Sequence, residues 1–398
     1  MSREPSPSTP IQTTENSDLY FPLDKAKQSI RLLSIDAESE DIIRCQLHTV
    51  QYLKGCQTFI AVSYTWGAEE PTKAILLNGI EVKIRMNLYE LLQQLLRDKT
   101  GQGSKYVCSH KTPGRARNYE ERQESRQSMQ YPDRWEYFWI DALCINQASV
   151  EEKSEQVAMM KDIFWSAKFV LAWLGPEADD SAFAMRVLDD MQIHGYSLLR
   201  LKEDGQELCL QAVCKLFRRP YWTRLWVVQE FVRAREVLLR SGDAGATVGN
   251  LSYYPDNSLS SIFEDVELRN FLSFMGMVDS RHVYKVKEVP ILTDVFLDFA
   301  ELECSDIRDK VFALLSLSSL IKYPAPNYSA TKEQVFLGII EEEIKWIAQS
   351  NYYYEETFES WETMCVRFGG ILGIDDEIAK VYAYLIYEGK DSAGGGKE

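Results

Sequence analysis

The alternation of apolar and polar residues in "SIRLLSID", Ser29 to Asp36, has the two-residue period of a strand. A second strand, "CQLHTVQYL", follows as its candidate partner. "FIAVSYTWG", Phe59 to Gly67, is β-branched and aromatic and ends at a glycine, which predicts a core strand. In "AILLNGIEVKI" the pair Asn78-Gly79 separates two apolar runs, a hairpin signal. Leu88, Leu91, Leu92 and Leu95 then recur at helical spacing in "MNLYELLQQLLRD". "YFWIDALCINQ", Tyr137 to Gln147, reads as a buried strand that stops in polar residues.

The helix "SVEEKSEQVAMMKDIFWSA" comes next, with Ser149 as N-cap, Glu152 three residues on, and Val157, Met160, Phe164 and Ala167 along one stripe. "KFVLAWLG", Lys168 to Gly175, is a strand, followed by the helices "DSAFAMRVLDDMQI" and "ELCLQAVCKLFRR". Pro220 opens a further helix, "PYWTRLWVVQEFVRA", before the strand "EVLLRSG". Asp243 to about Ser261 reads as loop, and the remainder, including "DKVFALLSLSSLI" and "QVFLGIIEEEIKWIAQS", as mostly helical. Strands alternating with helices predict an α/β unit with a mostly parallel sheet. The expected organisation is a disordered tail at 1–18, a sheet-bearing domain at 19–243 and a mostly helical accessory region at 244–398 ending in a flexible tail. The domain carries a polar insert at 101–134.

Composition narrows the function classes. Sixty acids against 44 bases leave a net charge of −16, which argues against a nucleic-acid groove. No apolar run approaches the roughly 18 residues of a membrane span. The polar, proline-rich start has no secretory character. Eight scattered cysteines without a CxxC pair fit buried free thiols, so a cytoplasmic, reducing setting is expected. The four histidines are isolated, and the ligand spacing of a closed zinc site is missing, so no metal is expected.

Three blocks carry candidate chemistry. In Ser63, Tyr64, Trp66 and Gly67, hydroxyls and an aromatic face sit at a strand end that glycine frees; the alternative is that the aromatics are packing residues. Asp141, Asn146 and Gln147 end the second block. A buried acid needs a partner, either a ligand hydroxyl or the loop it braces. Ligands of open α/β sheets sit beyond the carboxyl ends of the strands, which is where both blocks fall. The third block, "RRPYWTRLWVVQE", puts Trp222, Trp226 and Glu230 at steps of four, hence on one helical face. A carboxylate on that stripe is either a reactive group with a perturbed pKa or one half of a bridge to Arg219 or Arg224.

Taken together and in order, "AVSYTWG", "WIDALCINQ" with "EKSEQVAMMKDIFWSAKFVLAWLG", and "RPYWTRLWVVQE" resemble the fungal heterokaryon incompatibility (HET) domain. "CSDIRDKVFALLSL" and "PNYSATKEQVF" resemble segments that follow it in longer members, with Ser316 where those often carry glycine. The insert is long for the family and the chain stops early. The resemblance implies nonself recognition ending in programmed cell death, with other incompatibility-system proteins or a homo-oligomer as partners. It also implies a remote likeness to Toll/interleukin-1 receptor domains, hence a flavodoxin-like sheet. Some Toll-like domains cleave NAD with a glutamate; by that analogy Glu230 is the catalytic candidate, and Ser63, Tyr64, Trp66, Gly67, Asp141, Asn146, Gln147, Trp222 and Trp226 are substrate-binding candidates. No cofactor or metal is required by that chemistry. The competing expectation is a non-enzymatic adaptor that signals by assembly.

Overall fold

A computed structural model describes residues 19–38, 41–51, 58–67, 69–101, 136–194, 198–248, 262–286, 295–296, 299–318, 323–349 and 358–394, with two short strands at 108–109 and 128–129. The proposed N-terminal tail and most of the polar insert lie outside the described residues. Nine strands make one sheet: β1 (Ser29–Ile35), β2 (Arg44–Gln51), β3 (Ile60–Tyr64), β4 (Lys73–Leu77), β5 (Ile80–Ile84), β6 (Phe138–Trp139), β7 (Val170–Trp173), β8 (Val237–Ser241) and β9 (Ala244–Thr247). Their spatial order is β9-β8-β7-β3-β6-β1-β2-β4-β5.

The sheet is mixed, so the expected α/β class holds and the parallel pairing holds in part. Strands β8, β7, β3 and β6 run parallel at its centre. Antiparallel pairs flank them: β8 with β9, β6 with β1, and β1 with β2. The outer edge joins β2 to β4 in parallel and closes on the β4–β5 hairpin. That hairpin turns at Asn78 and Gly79, both at positive φ (53° and 82°), as the two-residue loop requires.

Helix α1 (Met86–Lys99) buries Leu88, Leu91, Leu92 and Leu95, the predicted stripe. The expected strand of the second block is shorter than its apolar run. Only Phe138–Trp139 pairs, and Asp141–Cys144 forms one helical turn, α2. Helix α3 (Val150–Ser166) starts where Ser149 accepts a bond from the Glu152 amide. The Glu152 carboxylate does not complete a capping box. It takes the Asn146 amide (2.7 Å) and both arms of buried Arg31 (2.5 and 3.0 Å), so the cap is tied to β1.

Helices α4 (Ser181–His194) and α5 (Glu207–Phe217) follow. The single helix expected from Pro220 to Ala234 is two elements, a 3-10 turn at Pro220–Thr223 and α6 at Trp226–Arg233. Arg224 between them is extended (φ −80°, ψ 130°). Glu303 captures this break: its carbonyl accepts the Leu225 amide (2.9 Å) and its own amide donates to the Thr223 carbonyl (2.6 Å). Trp222 therefore does not share the Glu230 helix face. The expected loop after Gly242 begins instead with β9, because Gly242 (φ 55°) turns the chain tightly back on β8.

Beyond lie α7 (Asp265–Val286), α8 (Asp309–Phe312), α9 (Lys332–Gln349), α10 (Phe358–Ile371) and α11 (Asp376–Gly394). The helix expected over 309–321 is the short α8 and a separate 3-10 turn at Leu315–Leu317. One apolar core runs from Leu19 to Ala383 and joins the sheet to these helices. Both sheet faces are covered near β3. Ser63 meets Tyr221 of the 3-10 turn, whereas Trp173, in register with Tyr64, donates to Asn87 of α1.

Candidate functional site

Strand β3 and the β6–α2 junction end side by side, and the first two sequence blocks meet there. The Trp66 indole N–H donates to Asp141 Oδ2 (3.0 Å), and Asp141 Oδ1 accepts the Ala142 amide (2.7 Å). Gly67 carries the chain away at φ 80°, a conformation that side chains disfavour. The Asn87 amide, at the start of α1, donates to the Thr65 carbonyl (2.5 Å) and holds this loop against the sheet.

The third block reaches the same place from the other side of β3. The Ser63 and Tyr221 hydroxyls share a hydrogen bond (2.8 Å), and Arg224 donates to the Tyr64 carbonyl. Glu230 projects from α6 into this junction, 2% exposed, and its Oε2 has no hydrogen-bond partner among the described residues. Burial raises its pKa from 4.5 to about 7; Arg224 and the Ser63 hydroxyl oppose the rise and Asp141 adds to it. No ion pair joins Glu230 to an arginine among the described residues. Arg219, one of the two bridge partners considered for it, instead donates to the Leu174, Pro176 and Ala178 carbonyls and to Ser241. Burial also pushes Asp141 upward, against the pull of Arg224, the Ala142 amide, Trp66 and Lys153. Tyr64 and Tyr221 are raised by burial, so both hydroxyls stay protonated at neutral pH.

A third acid raised by burial, Asp309, adjoins the site from the C-terminal region. Asp309 accepts the Trp226 indole N–H (3.0 Å) and the Tyr328 hydroxyl (2.7 Å). Trp226 is one helical turn before Glu230, so this contact fixes the helix that carries the glutamate. Lys153 stacks on Tyr328, 4.2 Å from the ring centroid, and its charge is felt by Asp141 and Asp309 alike. Arg85 lies 5.8 Å from the Trp66 ring centroid.

The structure thus gathers Ser63, Tyr64, Trp66, Asp141 and Glu230. Three other candidates sit elsewhere or do other work. Trp222 is fully buried among Phe217, Tyr221 and Phe274, with its indole bonded to the Leu216 carbonyl (3.0 Å), so it is a core residue rather than a ligand-facing one. Asn146 accepts the Ala148 amide (3.1 Å) and Gln147 donates to the Asp141 carbonyl (3.0 Å), so both brace the loop. Sequence reasoning missed Arg85, Lys153, Asp309 and Tyr328. The resemblance to the family singled out the segments that hold Lys153, Asp309 and Tyr328, and nothing in residue spacing marks Arg85.

Residues 116–230 match the family "Heterokaryon incompatibility protein (HET)" and end on Glu230 itself. That stretch is similar to a heterokaryon incompatibility domain. The chain is also 26% identical over 369 residues to "Heterokaryon incompatibility protein 6, OR allele" of Neurospora crassa, a match covering 77% of this chain. The chain spans about half the length of that relative (50%). No solved structure matches. Among the described residues no helix is long and apolar enough to cross a membrane.

Proposed function

We propose that this chain is a heterokaryon incompatibility effector that acts in nonself recognition and triggers cell death by cleaving NAD or a related nucleotide at Glu230. The supporting observation is the glutamate itself: buried, unpaired at Oε2 among the described residues, and near the carboxyl end of β3 in the parallel centre of the sheet, beside Asp141 and Trp66. In this reaction the bond between ribose and nicotinamide breaks, and its electron pair leaves with the nicotinamide. The ionised Glu230 carboxylate, in a site of low dielectric, stabilises the positive charge left on the ribose. Water adds at that carbon and one proton is released. Trp66 offers a face for stacking a base, and Asp141 an acceptor for a ribose hydroxyl. The parallel centre of the sheet is in keeping with a flavodoxin-like, Toll-like ancestry.

Incubating the purified full chain with NAD and following nicotinamide release tests this reading. Release that Glu230→Gln removes supports it; no release, even from forced oligomers, overturns it.

A specific observation favours a second reading, a non-enzymatic adaptor. Ser63, Tyr64, Tyr221 and Glu230 are each 2% exposed or less, a closed arrangement in which the network serves stability and assembly. In that case a folded Glu230→Gln variant kills cells as well as the parent does.

A further inference from the structure

Three cations lie about the Trp66–Asp141–Glu230 junction and make no direct ion pair among the described residues, although the charge of Arg224 reaches Glu230 and Asp141 and that of Lys153 reaches Asp141 and Asp309. Arg85 rests over Trp66, and its Nε is buried without a partner among the described residues. Lys153 contacts a ring, that of Tyr328. The Arg224 side chain donates to a backbone carbonyl, that of Tyr64. No ion pair involves any of the three among the described residues. In a chain of 60 acids and 44 bases, carboxylates are plentiful, so three unpaired, half-buried cations in one place call for an explanation.

Glu230 makes no direct ion pair among the described residues, and the other neighbouring acids are otherwise engaged. Asp141 is satisfied by Trp66 and the Ala142 amide, and Asp309 by Trp226 and Tyr328, all neutral donors. Asp306 holds Arg308 instead (2.5 Å). The cations retain unused donors, and the Thr65 hydroxyl beside them is also buried and unpartnered among the described residues. Guanidinium donors on an aromatic face, with an ammonium and a hydroxyl nearby, match the oxygens of a phosphate chain.

We propose that Arg85, Lys153 and Arg224 bind the pyrophosphate of a nucleotide and hold it against Trp66 and Thr65. This inference deepens the nucleotide-cleaving reading, on which it rests for the choice of ligand class, but it concerns binding and needs no turnover. A pyrophosphate held here places the attached ribose toward Asp141 and Glu230.

The test is ADP binding to the full chain, measured by titration calorimetry, with adenosine as the phosphate-free probe. ADP is expected to bind at least tenfold more tightly than adenosine, and only the ADP affinity to fall with added salt. Arg85→Gln and Lys153→Gln should each weaken ADP by about 10-fold or more, the loss typical of a charge-assisted hydrogen bond. Arg97→Gln, which removes the same charge from the exposed end of α1, should leave ADP affinity unchanged. Equal affinities for ADP and adenosine, or unaltered ADP binding by both folded variants, overturn the proposal. Arg85-dependent ADP binding without nicotinamide release removes the glycohydrolase reading and supports this one. Nicotinamide release by Arg85→Gln at unchanged KM does the reverse.

Discussion

Glu230→Gln separates a functional glutamate from a structural one by stability alone. Burial moves the carboxyl from 4.5 to about 7, so holding it ionised in the folded protein costs about 3 kcal/mol at pH 8, at 1.36 kcal/mol per pH unit. The sign follows from proton counting. Between pH 4.5 and 7 the folded state binds more protons at this site than the unfolded state, so stability falls as pH rises through that window and stays low above it. Glutamine keeps the shape and removes the charge. The variant should therefore match the parent near pH 4.5 and exceed it at pH 8 by up to about 3 kcal/mol. Urea denaturation of both proteins at the two pH values measures this, and only the difference between pH values is needed. If the variant is less stable than the parent at pH 8, the carboxylate is anchored by an ionic contact and the argument for a reactive, destabilised group fails. In the nicotinamide-release assay the same variant should lose on the order of 100-fold or more in rate.

Other substitutions test the supporting framework. Glu152→Ala strands the buried Arg31 guanidinium and should lower stability by about 3–5 kcal/mol in urea denaturation, whereas replacing an exposed pair such as Lys380 and Glu377 should leave the denaturation midpoint nearly unchanged. Gly242→Ala should destabilise by about 1–3 kcal/mol, since φ is 55° there and a Cβ would lie 2.8 Å from Glu177 Cβ; a neutral result in thermal melting would contradict the turn geometry. Asp309→Ala leaves the Trp226 indole and the Tyr328 hydroxyl unpaired. It should cost about 2–4 kcal/mol in urea denaturation and also shift Trp226 fluorescence.

Much of this protein is written locally. Asn78-Gly79 specifies its turn because both residues tolerate positive φ. The leucines of α1 and the Ser149 cap follow from contacts three or four residues apart. The oddity of Glu230, a carboxylate in an apolar run, is also visible in the chain, as are the second and third blocks, which fall within the family match at 116–230. The break between Pro220–Thr223 and Trp226–Arg233 is not. Glu303, 80 positions after Thr223, captures the backbone there, and this redirects Trp222 into the core. The strand before Asp141 is likewise shorter than its hydrophobic run, because β6 has only Leu33 opposite it on β1 and two partners on β3.

Periodicity, turn preferences and motif order act over a few residues, so the sequence by itself determined the element types, the apolar faces, the kinship and the suspicion that falls on Glu230. The tertiary structure alone decided the mixed sheet, the meeting of Ser63 with Tyr221 across 158 positions, and the approach of Arg224 and Lys153 to Asp141 and of Arg85 to Trp66. Burial and long-range electrostatics set which groups go unpaired. Neither exists until distant segments are packed together, so no short window of the chain can carry that information.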